Sequence, residues 1–527
     1  MGLSKVEIRP RRSMWFFALL SIFMVVASYL FVILLAAACV YLPYLILSNM
    51  ETPDFRIILL LLFGVVIAAT MLWSLLPRRD KFEAPGLLLD PASQPRLFAE
   101  LENIAASLNE PMPREVYLIG DVNAFVADRG GFLGIGSRRV MGLGLPLMSI
   151  LTVSQFRAVL AHEFAHYYGG DTSLGPWVYK TQKAMVRIFE NVGSVGELAR
   201  IAILGAMYLV VATLMKWYFI LFLRAMNFAS RKREFRADEL ACLVAGREPL
   251  VEGLRAIHGA ALAWPTYWNT EIAPVVSDGA LPGVGQGFAR FVAVPRIDEQ
   301  IRKEVDREIK EAKTNPYDSH PPLRDRIAAA ANLEGGAVQN DARLASSLLD
   351  HLDKTELRFL ETVNTDIKPD SVQCISWDDL ATRVTIPGWR KFTGDYSSAL
   401  QGVTAESLPA QIPNLLKVGN MMRDPKGLLL GPDQRARRAA HFFAIALALA
   451  LLDRGWTLDV APGIFELHGP AGEPNLFPIL DQLMAGKLSP QDWSAQCHKL
   501  GIADVPLSPA STQQLELLPS ETYQSSS

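Results

Sequence analysis

Cysteine is scarce, four residues in 527. Cys39, Cys242, Cys374 and Cys497 have no C-x-x-C spacing, which argues against a cysteine zinc site and a disulfide framework and leaves buried thiols in a reducing compartment. Charge is also sparse, at 20% of residues, and nearly balanced at a net −3. Nothing here supplies the clustered basic surface that nucleic acid requires. No G-K-[ST] occurs, nor a G-x-G-x-x-G after a strand. The glycines from Gly130 to Gly144, interleaved with Phe132, Leu133, Ile135 and Val140, therefore read as a hairpin rather than a phosphate loop. No internal repeat is visible. Apolar residues, in contrast, make up 50% of a chain long enough for two or three domains.

The apolar excess is concentrated. Met14 to Leu47 carries no charge, and Ile57 to Leu76 is a second uncharged run of 20 residues. About 20 apolar residues cross the hydrocarbon core as a helix, so both qualify. Pro43 is where the first run is expected to end or bend, and the polar Ser48 to Arg56 fits a tight connection. Lys5, Arg9, Arg11 and Arg12 precede the pair, while Arg78, Arg79 and Lys81 follow it. The positive-inside bias thus puts both ends in the cytoplasm, at the inner membrane. A cleaved signal peptide would have a shorter apolar core. A lipoprotein site at Cys39 would not be followed by further apolar residues.

Beyond this hairpin (1–85), Pro91 to Leu108 is amphipathic and Arg114 to Ile119 alternates like a strand. Arg296 to Lys313 reads as a charged helix, followed by a turn through Asn315 and Pro316. The pattern changes near Gly335, so 86–336 and 337–504 are expected to be separate domains, with a disordered tail at 505–527. In the second of these, Ala439 to Leu452 is an apolar helix short enough for a core. Trp456 to Val460 and Phe465 to His468 look like strands. The expected class is α+β, mainly α-helical, with a transmembrane helical hairpin in front and a separate C-terminal α+β domain behind.

The motif that carries chemistry is His162-Glu163-Phe164-Ala165-His166. Thr152 and Gln155 have capping-box spacing, and Gly169-Gly170 supplies a stop, so the segment from Leu151 is helical on local grounds. Histidines four apart on a helix project from one face, as two ligands of one tetrahedral zinc must. Glu163 can reach the attacking water without being a ligand and serve as general base, then acid. Glu234 and Asp238 are again four apart, on a helix expected to end before Gly246. Alone they read as a solvated face. Beside the histidines, Glu234 becomes the third ligand that a catalytic zinc site needs, and Asp238 the acceptor that fixes an imidazole. Two histidines and a carboxylate favour Zn2+ over other ions.

Glu234 must lie on the same membrane side as His162, so the chain between them crosses an even number of times. The one long apolar run there, Ile201 to Met226, either dips in and returns or lies against the membrane or the hairpin. Lys216, Trp217 and Tyr218 at its centre favour the latter.

These motifs, with Ser230 to Asp238, Asn123-Ala124-Phe125 and Ser319-His320-Pro321-Pro322, resemble the HtpX and CAAX prenyl endopeptidase family of membrane zinc metalloproteases. They occur in that family's order over about Leu87 to Ala330. The resemblance implies a zincin-like domain with His162, His166 and Glu234 as zinc ligands, Glu163 as base and Asp238 behind the ligands. It makes Asn123, Ala124 and Phe125 an edge strand for extended substrate. It also brings His320, by itself a turn residue, near the metal. It implies polypeptide substrates at the lipid bilayer, in quality control or, as the runner-up, in processing a specific precursor, lipid-modified or not. A latent zinc-binding scaffold is the rival outside enzymes. The family pattern has two membrane helices between the histidines and the glutamate, where this sequence has room for one apolar run. Trp264, Tyr267 and Trp268 read as a packed loop, Asp171 as a turn residue, and Arg435, Arg437 and Arg438 as a solvated helix end.

Overall fold

Pro43 does not end the first apolar helix. In the computed structural model α1 runs from Arg12 to Ser48 straight through that proline, and α2 (Phe55–Leu75) packs back along it. The structure describes residues 12–76, 82–130, 136–167, 175–196, 201–312, 315, 318, 320–333, 335–336, 340–363, 372–424, 429–473 and 475–508. Lys5, Arg9, Arg11, Arg78, Arg79, Lys81, Phe132, Leu133, Ile135, Gly169, Gly170, Asp171, Pro316, Ser319 and most of the expected tail lie outside them. Asp54 starts α2 by accepting the Arg56 N–H at 2.8 Å. Where the two helices touch, a Cβ on Gly64 would run into the Cys39 carbonyl oxygen. Gly64→Leu is therefore expected to separate the hairpin at a cost of about 1–3 kcal/mol, read as a lower Tm of the purified protein in detergent.

Two helices, not one, lie between the histidine motif and Glu234. The first, α6 (Gly175–Gly196), is amphipathic, which is why apolar content alone passes over it. Met185, Ile188 and Val192 enter a core shared with Val32 and Cys39 of α1 and Ile67 and Met71 of α2, while Lys183 and Glu190 face outward. Arg187 donates to the Ser74 carbonyl at 3.0 Å and Asn191 to the Ser74 hydroxyl at 2.8 Å. The second, α7 (Ala202–Ala245), contains the third apolar run and continues unbroken for 44 residues. Its Tyr218 stacks on Phe31 at 4.2 Å and lies 3.0 Å from the Ser28 hydroxyl. The run does lie against the hairpin, and α6 packs into the same core. Leu19–Ser48, Phe55–Leu75 and α7 are each long and apolar enough to cross a membrane. They expose large apolar side chains such as Leu34, Trp73 and Trp217.

A four-stranded sheet follows the hairpin. Its strands are β1 (Leu87–Leu89), β2 (Glu115–Ile119), β3 (Ala124–Arg129) and β4 (Arg138–Gly144), in the order β1-β2-β4-β3. The β2–β4 pair is parallel, and the other two pairs are antiparallel. The glycine-rich stretch is the β3–β4 connection, and β3 is left at the edge. Helix α3 (Pro95–Ser107) buries Leu97, Phe98, Leu101 and Ile104. β4 leads through α4 (Leu145–Ile150) into α5 (Val153–Ala165), the histidine helix. After α7 comes α8 (Arg247–Tyr267).

The chain divides into one unit of 1–265 with 298–368 and another of 266–297 with 369–527. The expected boundary at 337 thus lies within the first unit's share. Residues 340–350 bond to the first unit, with Val153 N–H donating to the Arg343 carbonyl at 2.7 Å and Ala345 N–H to the Leu151 carbonyl at 2.8 Å. In the second unit Ala280–Pro282 pairs in parallel with Gln373–Ile375. There the helix expected at Ala439 starts earlier, at Pro432. It buries Phe442, Phe443, Leu447 and Leu451 against Trp456, Leu467 and Trp493, and Thr457–Ala461 with Ile464–His468 forms a hairpin. Arg435 is not merely solvated, because it pairs with Asp424 at 2.7 Å. Trp264, Tyr267 and Trp268 are helical rather than looped, and buried Tyr267 donates to the Val284 carbonyl at 2.8 Å.

Candidate metal centre

The capping box at Thr152 and Gln155 is formed in both directions, at 3.2 and 3.0 Å, and fixes the start of α5. Three turns later His162 is buried, and His166 sits at the C-cap with helical φ and ψ, so the two imidazoles share a face. Their rings stand 4.8 Å apart and nearly perpendicular. From α7, Glu234 and Asp238 enter one turn apart, 3% and 1% exposed. Glu234 bridges the imidazoles: its Oε2 lies 3.4 Å from His162 Nε2 and its Oε1 3.4 Å from His166 Nε2.

That spacing has a simple reading. Donors about 2.0–2.1 Å from a tetrahedral ion stand about 3.3–3.4 Å from one another. One ligand atom from each of the three residues falls within 4.8 Å of the others. Glu234 Oε2 is buried and faces imidazole nitrogens, His162 Nε2 at 3.4 Å and His320 Nδ1 at 2.9 Å. The donor set and its spacing fit zinc.

Behind the ligands, Asp238 Oδ1 lies 2.9 Å from His162 Nδ1, which leaves Nε2 facing the metal position. Asp238 is in turn held by Arg326, through Nε to Oδ2 at 2.9 Å and a terminal nitrogen to Oδ1 at 2.6 Å. Arg326 Nη2 also comes within 3.3 Å of His162 Nδ1, donor against donor, and the shared carboxylate offsets that approach. Burial works against a charge on His162, yet the Asp238 and Glu234 carboxylates hold its pKa at about 9. An ion bound there would release that proton. Burial, reinforced by the neighbouring His162, brings His166 down to about 3, so it is neutral and ready to ligate. Glu163 is half-buried beside them, and burial pushes its carboxyl up to about 7.

Residues 91–334 match the family model of peptidase family M48. Over that stretch the chain is similar to peptidase family M48. Relatives include the Protease HtpX of Xanthomonas euvesicatoria pv. vesicatoria (strain 85-10), 26% identical over 236 residues, 42% of this chain and 66% of that protein. The Protease HtpX of Xylella fastidiosa (strain 9a5c) is 26% identical over 220 residues, 40% of this chain and 62% of its own. That of Xanthomonas campestris pv. campestris (strain B100) is 27% identical over 230 residues, 41% and 65%. The chain thus spans slightly under two thirds of these relatives' length. No solved structure matches it. With its three long apolar helices the chain is an integral membrane protein.

Within the M48 segment the structure also brings His320 to the site. Its side chain is 65% exposed, yet Nδ1 lies 2.9 Å from Glu234 Oε2, which raises its pKa. Asn123, Ala124 and Phe125 stand at the start of the edge strand, which packs against α5. Arg326 is the residue that sequence reasoning misses. It lies on the short helix Leu323–Ala330, whose buried positions are Leu323, Arg326 and Ala330. An arginine in that i, i+3, i+7 stripe was the available signal, since a cation on a buried face requires an anion.

Proposed function

We propose that this chain is a membrane-anchored zinc endopeptidase. The observation that supports it is the convergence of His162, His166 and Glu234 at tetrahedral spacing, with Glu163 alongside. Zinc, when bound, supplies a Lewis acid that polarises a peptide carbonyl and acidifies water. Glu163, with a pKa near neutrality, takes a proton from the attacking water and later passes it to the departing amine. Asp238 and Arg326 hold His162 in the tautomer that offers Nε2. His320, exposed and tethered to Glu234, stands where it can donate to the carbonyl oxygen of a bound peptide. Extended substrate adds along β3 from Asn123 to Phe125.

The basic residues flanking the hairpin favour the inner membrane with the M48 domain on the cytoplasmic side. A site beside a membrane bundle favours membrane-associated polypeptides, and the relatives' name, Protease HtpX, supports proteolysis. Quality control of membrane proteins is the reading we adopt.

Metal analysis of the full-length protein tests the assignment. About one zinc per chain is expected for the parent, with roughly tenfold or greater loss of affinity in Glu234→Ala. Equal zinc in the two would remove Glu234 from the site.

A further inference from the structure

The free edge of β3 is already partly occupied. Asn123 O accepts the Gly144 N–H at 2.8 Å. Ala124 stands opposite Leu143, Phe125 opposite Gly142 and Val126 opposite Met141. Antiparallel alternation therefore turns the N–H and C=O groups of Phe125 and Ala127 toward β4, and those of Ala124, Val126 and Asp128 away from it. β4 has β2 on its other side, so these outward groups form the edge. The Tyr167 hydroxyl sits on that edge. It donates to the Val126 carbonyl at 2.9 Å, a ladder position that an added strand would use.

The cap is held in place. Tyr167 is 8% exposed, and the Arg139 guanidinium stacks 4.0 Å from its ring centre. Arg139 is itself gripped by Glu110 at 3.1 Å and Asp128 at 3.7 Å. A buried ring stacked on a doubly paired guanidinium does not swing aside at little cost.

We infer that Tyr167 limits the reach of the substrate, leaving only Ala124 and the Val126 N–H to pair with it. This rests on the endopeptidase reading above. With the Val126 carbonyl taken, the edge before the cap offers one outward carbonyl, that of Ala124, and the Asp128 carbonyl lies beyond the cap. One substrate N–H can pair there, where an uncapped edge would take alternate amides along the strand. Such a site suits chains that present a short extended segment, such as a frayed terminus or an exposed loop, and disfavours long strand addition.

An N-methyl scan tests this in the full-length protein. The probe is a β-casein peptide that the parent cleaves and Glu163→Gln does not, methylated at one backbone nitrogen at a time. On the parent, a single N-methyl position on the β3-facing side should lower kcat/KM, by about 5-fold for one hydrogen bond. In Tyr167→Ala a second sensitive amide should appear two residues along. Tyr167→Phe removes the hydroxyl that occupies the Val126 carbonyl and should move toward the Tyr167→Ala pattern. A pair of sensitive amides at i and i+2 in the parent overturns the cap while leaving the hydrolase intact, and this arm needs no variant to fold. Should no casein peptide show Glu163-dependent cleavage, the hydrolase reading fails and the cap falls with it.

Discussion

Glu163→Gln is expected to lower peptide hydrolysis by about 10²–10⁴-fold while zinc content stays at the parent's level. That range is what a positioned general acid–base contributes. Glutamine keeps the size and hydrogen-bonding capacity of the side chain and loses only its ability to exchange a proton. The carboxyl sits at about 7 because burial disfavours its charged form, so at neutral pH it can hold and release a proton with little driving force either way. Turnover of an unfolded protein such as β-casein, measured beside metal analysis, separates the two effects. Retained turnover in the variant would assign the proton transfer elsewhere. Retained zinc with lost turnover would show that Glu163 is chemically required and not a ligand.

Arg326→Leu is expected to cost about 3–5 kcal/mol, the range for breaking a buried ion pair on one side. Asp238 is 1% exposed, and Arg326 donates to both of its oxygens. Removing the guanidinium strands that charge. Arg326→Lys should recover only part of the loss, because an ammonium cannot serve two oxygens through a planar fork. Adding Asp238→Asn to Arg326→Leu should restore stability more than metal affinity, since the stranded charge goes but His162 loses its acceptor. Thermal unfolding and zinc titration of the three variants check this. An Arg326→Leu protein as stable as the parent would mean that the pair carries no such energy.

Local spacing made half of the centre legible. Histidines four apart behind a capping box announce a helix face, because both the cap and the face are set within 15 residues of sequence. Glu234 and Asp238 show the same spacing, but nothing local tells a ligand pair from a wet helix face. Only the fold sets them beside the histidines of α5. Arg326 is faint in the sequence for a related reason: its partner Asp238 is 88 residues away, and its helix spans eight residues. Helix α6 is hidden in the sequence because its lysines and arginine dilute its apolar content, although Met185, Ile188 and Val192 recur at helical spacing. The unit boundary was misread because composition changes near Gly335, whereas the backbone pairing of Arg343 with Val153 carries the chain onward with the first unit. The role of Tyr167 depends on which way Val126 points its carbonyl, and that is a matter of strand register.

One consequence of α7 concerns mechanics. Its lipid-facing turns and its two carboxylates belong to a single helix with no break between Ala202 and Ala245. Each added or deleted residue rotates everything beyond it by about 100° and shifts it by about 1.5 Å, enough to turn Glu234 away from the imidazoles. Tilting or sliding of the same rod, as when bilayer thickness changes, displaces the carboxylate with it. A change in the tilt of this rod would therefore reach the candidate metal site.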